Sequence, residues 1–163
     1  MDASAFSCLG NEEVVGIALR SLISGLTAYV EQCTYQYYGY EQGNLKIQAH
    51  MESRKRGPGF SKPPDILDVL LFCLSFWHAF ESTPLAPLKN NLYEIKDIRN
   101  RWAHQEAIGD SDTFRLLDSV ERVLGVIQYS GRGSGEDVQD LQRVSSMKRN
   151  HILRMASRVS ECG

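Results

Sequence analysis

At 163 residues, with 42% hydrophobic and 23% charged residues, the chain has the length and make-up of one ordinary globular domain, which excludes a disordered polymer and a multi-span membrane protein. Its formal net charge of −2 excludes a chain that grips nucleic acid by bulk charge but leaves room for a local basic patch. The four cysteines, Cys8, Cys33, Cys73 and Cys162, stand far apart with no C-x-x-C pair. They signal neither a zinc site nor a disulfide framework and read as small buried hydrophobes.

The start, "MDASAFSCLGNEE", is acidic and lacks the basic-then-apolar pattern of a secretory signal. An intracellular location is expected, with nucleus and cytoplasm not separated. From Asn11 to about Tyr38 the residues Val15, Ala18, Leu19, Leu22, Leu26, Tyr29 and Val30 recur at spacings of three and four, with Glu12, Arg20 and Glu31 off the stripe. That spacing predicts an amphipathic helix. Gly16 and Gly25 within it each cost about 1 kcal/mol against alanine, and a close helix approach is the expected reason. Residues 39 to 64 are rich in glycine, proline and charge, which predicts a loop with one short helical turn near Leu45 to Met51.

Pro63 and Pro64 followed by Asp65 mark a helix start, because the first-turn amides have no intrahelical partner and a carboxylate suits the helix dipole. The helix is expected to run to about Phe80 and, being apolar nearly all round, to be the most buried element. Its apolar stretch of about 15 residues contains Asp68 and His78 and is short of the roughly 20 that cross a bilayer, so no membrane partner is expected. His78 is expected to be buried and satisfied. Prolines 84 and 87 break the chain, and a third helix from about Leu88 to His104 carries Leu88, Leu92, Ile95 and Trp102 on one side. Asp110, Ser111 and Asp112 offer caps for a fourth helix with Phe114, Leu117, Val120, Leu124 and Ile127 at helical spacing. The tract "SGRGSGED" is a flexible break, and a basic fifth helix beyond it is free to leave the bundle. The expected class is all-α, an up-and-down bundle of four to five helices, with a core at 1–129 and the break plus basic helix at 130–163.

Chemistry concentrates in "DIRNRWAHQE". Asn100 and His104 are four apart and share a helix face, whereas Arg99 and His104, five apart, point about 140° from each other on an ideal helix. They converge only if the helix ends near Ala103 or if a two-fold partner brings in a second copy. Two histidines and two arginines around one cleft suit metal-free RNA cleavage: one histidine takes the 2′-hydroxyl proton, a second acid protonates the leaving 5′-oxygen, and arginine stabilises the phosphorane. The spacing alone is weak, since 12 arginines and 4 histidines give about 0.3 such pairs by chance at a fixed offset. The bland alternative is a histidine on the helix C-terminal dipole and an arginine paired with Glu94 or Asp97.

The whole stretch "EIKDIRNRWAHQ" closely resembles the signature helix of the HEPN superfamily (higher eukaryotes and prokaryotes nucleotide-binding), whose motif of arginine, a polar residue, three residues and histidine falls here on Arg99, Asn100 and His104. Its flanks resemble the subgroup found in a nuclear messenger-RNA quality-control endonuclease and in bacterial helicase-associated proteins. "ALRSLISGLTAYVEQ", "DILDVLLFCLSFWHAFES" and "DSDTFRLLDSVERVLGVI" fit that subgroup too, over roughly residues 14 to 128. The resemblance implies a helical homodimer with the motif helices facing each other and a metal-independent ribonuclease needing no cofactor. Arg99 and His104 are then the functional pair and Asn100 orients them. The alternative it implies is a non-catalytic RNA- or nucleotide-binding and dimerisation module of a larger RNA-processing or defence assembly, beside a helicase, ATPase or nuclease domain. Arg101 reads as the partner of an acidic residue that offers a further phosphate contact, and Trp102 as core or dimer-interface packing. Lys55 and Arg56 in "SRKR", together with Arg149 in the tail, are the remaining candidates to touch RNA phosphates.

Overall fold

The computed structural model describes residues 9–54, 59–60, 65–131 and 135–161. Among them are six α-helices, α1 (Asn11–Tyr38), α2 (Tyr40–Ser53), α3 (Ile66–Ser75), α4 (Lys89–Ala103), α5 (Asp110–Tyr129) and α6 (Gly135–Glu161), with short 3-10 turns at Trp77–Ala79 and Ala86–Leu88 and no strand. The all-α class read from the periodicity is the class observed.

α1 spans the predicted residues, and it, not α3, is the centre of the bundle: α2, α3, α4, α5 and α6 all pack on it. Its stripe from Val14 to Val30 is buried, with Leu22, Leu26 and Tyr29 fully so. By length and composition alone α1 is apolar enough to cross a membrane, but here that apolar surface faces the other helices. Glu13 closes the first turn by accepting from the Gly10 amide at 2.9 Å. Gly39, at φ 81°, ends α1 and opens α2 at once.

The segment expected as a loop is therefore largely helix. α2 has only Ile47 and Met51 as buried apolar anchors, too few for the periodicity to stand out among its charged and polar residues. Its seat on α1 depends on Gly43, where a Cβ would lie 2.9 Å from the Tyr35 ring and 3.2 Å from the Thr34 methyl. Arg54, just past its end, forms an ion pair with the buried Asp68 of α3. His50 Nε2 bonds the Asp68 carbonyl oxygen at 3.0 Å, and since a carbonyl only accepts, that nitrogen carries the hydrogen.

Desolvation by burial lowers the His50 pKa below 6.5, assisted by the nearby Arg54 and opposed by the Asp68 carbonyl. A histidine depressed in the folded state binds protons more readily unfolded, so stability is full above about pH 6.5 and declines as pH falls through that value. In urea unfolding at pH 7.5 and 5.5, His50→Gln is expected to show a smaller acid loss than the parent. An equal loss in both proteins removes His50 as its source.

α3 is shorter than predicted. Asp65 caps it, Oδ1 accepting from the Leu67 amide at 2.9 Å, but the helix tightens after Ser75 through Phe76 O to Ala79 N and Trp77 O to Phe80 N bonds of 2.9 and 2.8 Å. This stacks the Trp77 ring on Phe80 at 6.2 Å. It also turns His78 outward: contrary to expectation it is exposed, with its Nε2 against the Tyr38 hydroxyl.

α5 begins with Asp110 inside its first turn, and the N-cap is Gly109 rather than one of the predicted side-chain caps. α6 does not leave the bundle. Val144 and Met147 are buried, and Lys148 bridges Asp118 and Glu121 of α5 at 2.7 and 2.6 Å. Gly25 is the close approach: a Cβ there would run into Asp137 Oδ1, at the start of α6. Cys33 and Cys73 are buried thiols, with burial pushing the Cys73 thiol up in pKa. Cys8 and Cys162 lie outside the described residues.

Candidate functional site

The signature residues sit where α4 ends. Its inner face, Leu92, Ile95 and Ile98, is buried. The opposite face exposes Tyr93, Asp97, Ala103 and His104. Glu94 fixes the helix to α5 through Arg115 at 2.7 Å and Ser119 at 2.8 Å, and the hydrogen bond from Arg115 holds its carboxyl below the usual range.

α4 stops at Ala103, with His104 as its C-cap. The His104 amide donates to Asn100 O at 3.0 Å, Gln105 to Trp102 O at 3.1 Å and Glu106 to Arg101 O at 3.0 Å. The last two form the crossed pair of a Schellman ending. Gln105 takes the left-handed position at φ 57°, where glycine is usual. Arg101 reinforces the turn through Asp112 at 2.9 Å, Glu106 at 3.6 Å and the Ala107 carbonyl at 3.4 Å; the Asp112 hydrogen bond raises its pKa further. Its expected pairing with an acidic residue is observed.

Arg99 turns inward. Its Nη2 donates to Asp65 Oδ2 at 2.7 Å and its Nη1 to Asn100 Oδ1 at 3.4 Å. The partner is thus Asp65 of the α3 cap, neither Glu94 nor Asp97. His104 is exposed, and among the described residues its ring has no hydrogen-bond partner. One chain therefore joins Arg99 to Asn100, with no hydrogen bond from the His104 ring to either side chain. Trp102 is half-buried, its Nε1 donating to Glu12 O on α1 at 3.0 Å.

Two residues that periodicity did not single out complete the setting. Asp65 serves two helices, one carboxylate oxygen capping α3 and the other holding Arg99. Asp65→Ala is expected to cost about 1 to 2 kcal/mol, from a lost cap and a partly exposed ion pair, and Asp65→Asn to restore most of it by keeping the cap. Chemical denaturation checks both; no recovery in Asp65→Asn assigns the loss to the ion pair instead. The second residue is Arg20, whose guanidinium lies over Gly16 beside Trp102. Its signal was its place four residues after Gly16, which read only as an off-stripe charge. A hollow of about 220 Å³ between α1, α3 and α4 is lined by Gly16, Arg20, Ile23, Asp65, Arg99 and Trp102 among others.

The remaining candidates lie elsewhere. Arg149 is exposed on α6, donating to Ser146 Oγ at 3.3 Å and lining a separate hollow toward Gln128 and Tyr129. Lys55 and Arg56 fall outside the described residues. Two arginines of the basic tail are engaged within the chain: Arg154 Nη2 donates to Asn11 Oδ1 at 3.0 Å, and Arg158 pairs with Asp110 at 2.6 Å. His151 is buried and bonds Asp110 O at 2.8 Å. Among the described residues no group of three or more His, Cys, Asp or Glu is placed to hold a metal ion.

Compared with known families, residues 17–128 match the model of the family described as Swt1-like HEPN. That range takes in α2, α3, α4 and most of α1 and α5. No curated protein and no solved structure matches the chain.

Proposed function

The chain belongs to the Swt1-like HEPN family, and from that premise we propose that it is a metal-independent RNA endonuclease acting as a homodimer. HEPN domains are commonly ribonucleases and otherwise nucleotide-binding modules. The observation that carries the proposal is the end of α4: it presents His104 to solvent without a side-chain partner, while Arg99 and Asn100 hydrogen-bond to each other one turn back. Within one chain the Arg99 guanidinium bonds Asp65 and Asn100 and not the His104 ring, and a second α4 related by a two-fold axis would bring a histidine to it.

In that dimer one His104 takes the proton of a ribose 2′-hydroxyl, whose oxygen attacks the adjacent phosphorus. The partner's His104 donates a proton to the departing 5′-oxygen, leaving a 2′,3′-cyclic phosphate and a 5′-hydroxyl. Arg99 is the phosphate clamp, a fixed cation facing charge that grows on the phosphorane oxygens. Asn100, through its Oδ1, orients Arg99. Cleavage of labelled single-stranded RNA by the purified protein in EDTA, giving cyclic-phosphate ends, is the expected result. No cleavage of any RNA under these conditions overturns the proposal.

One observation favours a second reading, the non-catalytic RNA- or nucleotide-binding and dimerisation module. Arg99 is already engaged by Asp65 at 2.7 Å, so a phosphate must displace or share a carboxylate partner. Shifted bands without product, for several RNA sequences, assign the protein to that class.

A further inference from the structure

We propose that the hollow between α1, α3 and α4 is a subsite for one nucleotide of single-stranded RNA, with Arg20 as its phosphate contact and the Trp102 ring over Gly16 as its wall. The subsite rests on the reading that the protein acts on RNA, and it adds α1 to a site otherwise built from the end of α4.

Arg20 is the first observation. Among the described arginines it alone has neither a hydrogen bond nor an ion pair, although it is exposed on a helix next to Glu12 and Glu13. Arg54, Arg99, Arg101, Arg115, Arg122, Arg143 and Arg158 all pair with carboxylates. Its guanidinium is nevertheless placed: its two terminal nitrogens lie 3.4 and 3.9 Å from where a Gly16 Cβ would be. A planar cation with five N–H donors and no protein acceptor is suited to phosphate oxygens.

The second observation is the wall. Trp102 Cζ2 lies 3.2 Å from the same Gly16 Cβ position, so the missing side chain is what lets the indole and the guanidinium sit together over α1. The ring is anchored through Nε1 on Glu12 O at 3.0 Å and is half-buried, which leaves an indole surface at the edge of the hollow. Aromatic surface beside arginine is the pattern that holds single-stranded bases without sequence readout.

Size and charge set the direction of entry. At about 220 Å³ the hollow is smaller than the pockets of roughly 300 to 1,000 Å³ that enclose drug-sized ligands, so it seats the phosphate and an edge of one nucleotide unit and excludes a duplex. On one side Arg20 and Arg99 outnumber Asp65. On the other, the adjoining hollow that shares Gly16, Arg20 and Trp102 carries Glu12 and Glu13. The phosphate is thereby directed to the Arg99 side, towards the signature residues.

The test measures binding of a labelled single-stranded RNA oligonucleotide in EDTA across a salt series, with His104→Ala as the non-cleaving parent and Arg20→Ala and Arg20→Lys added to it. Circular dichroism verifies folding, which substitution of an exposed, unpaired side chain should not disturb. Arg20→Ala is expected to weaken binding about tenfold, the loss of one charge-assisted contact, and to reduce the slope of log affinity against log salt by about 0.7, one phosphate's worth. Arg20→Lys should recover the slope and only part of the affinity. If Arg20→Ala binds with the affinity and slope of its parent, the subsite is overturned while the RNA reading stands. If the parent binds no RNA and the wild type cuts none, the RNA reading fails and the subsite fails with it.

Discussion

His104→Ala is expected to lower RNA cleavage by about 10²- to 10⁴-fold, the usual contribution of a positioned general acid or base, while leaving the unfolding free energy within about 0.5 kcal/mol of the parent, as for a surface substitution away from special features. Both parts follow from the end of α4. The imidazole is exposed and bonds to no described side chain, so nothing in the core depends on it. The backbone that places it is held through main-chain bonds from residues 104, 105 and 106 to Asn100, Trp102 and Arg101, which alanine preserves. Single-turnover cleavage and urea unfolding of the same preparation read the two effects separately. A variant that cuts at the parental rate excludes His104 from the chemistry; one that is inactive and also several kcal/mol less stable makes the loss structural. Mixing wild-type chains with excess His104→Ala chains gives a sharper readout. A dimer that draws one histidine from each copy should lose activity beyond simple dilution as mixed dimers form, whereas a site complete within one chain should keep the activity of the wild-type fraction.

Phe72→Ala is expected to destabilise the fold by about 3 to 5 kcal/mol, a large part of the 5 to 15 kcal/mol that holds a typical domain. Phe72 is fully buried in α3. Its ring lies 5.4 Å from His50, 5.8 Å from Phe60 and 4.7 Å from Phe76, so one truncation opens a void shared by α2, α3 and the residues flanking α3. Phe72→Leu should lose less, because most of the volume remains. Denaturant midpoints measure both. A loss below about 1 kcal/mol for alanine would mean that the neighbours collapse into the space, and that α3 is far less tightly packed than its burial implies.

What was legible in the sequence is set by how strongly burial repeats along each helix. α1 and α5 bury a residue at nearly every third or fourth position, so both helices were readable, and α1 keeps the bounds read for it. α2 was not, because it is held by Ile47, Met51 and a glycine contact rather than by a continuous stripe. α3 was overextended because aromatic residues 76 to 80 keep the apolar character of a helix while the backbone tightens into a 3-10 turn. Its apolarity all round suggested the centre of the bundle, a place that α1 takes by touching every other α-helix. At the site, an ending of α4 near Ala103 was one of two routes by which Arg99 and His104 could meet, a two-fold partner being the other; the helix does end there, yet Arg99 turns to Asp65. The Arg99 to Asp65 pair spans 34 residues, and the placement of Arg20 beside Trp102 joins α1 to α4. Neither follows from local spacing, because each depends on how separate helices cross.

The Schellman ending of α4 also bears on timing. Main-chain hydrogen bonds at His104, Gln105 and Glu106 hold the backbone on both sides of the histidine, which leaves two side-chain torsions as the imidazole's principal freedom. Rotamer exchange of an exposed side chain takes picoseconds to nanoseconds, against a median enzyme turnover of about 10 s⁻¹. In the proposed dimer each ring can thus sample its rotamers a million times or more within one catalytic cycle. If the proposed cleavage holds, reorientation of the histidine is not its slow step, and the pace is left to the bond changes at phosphorus and to the arrival and departure of the strand.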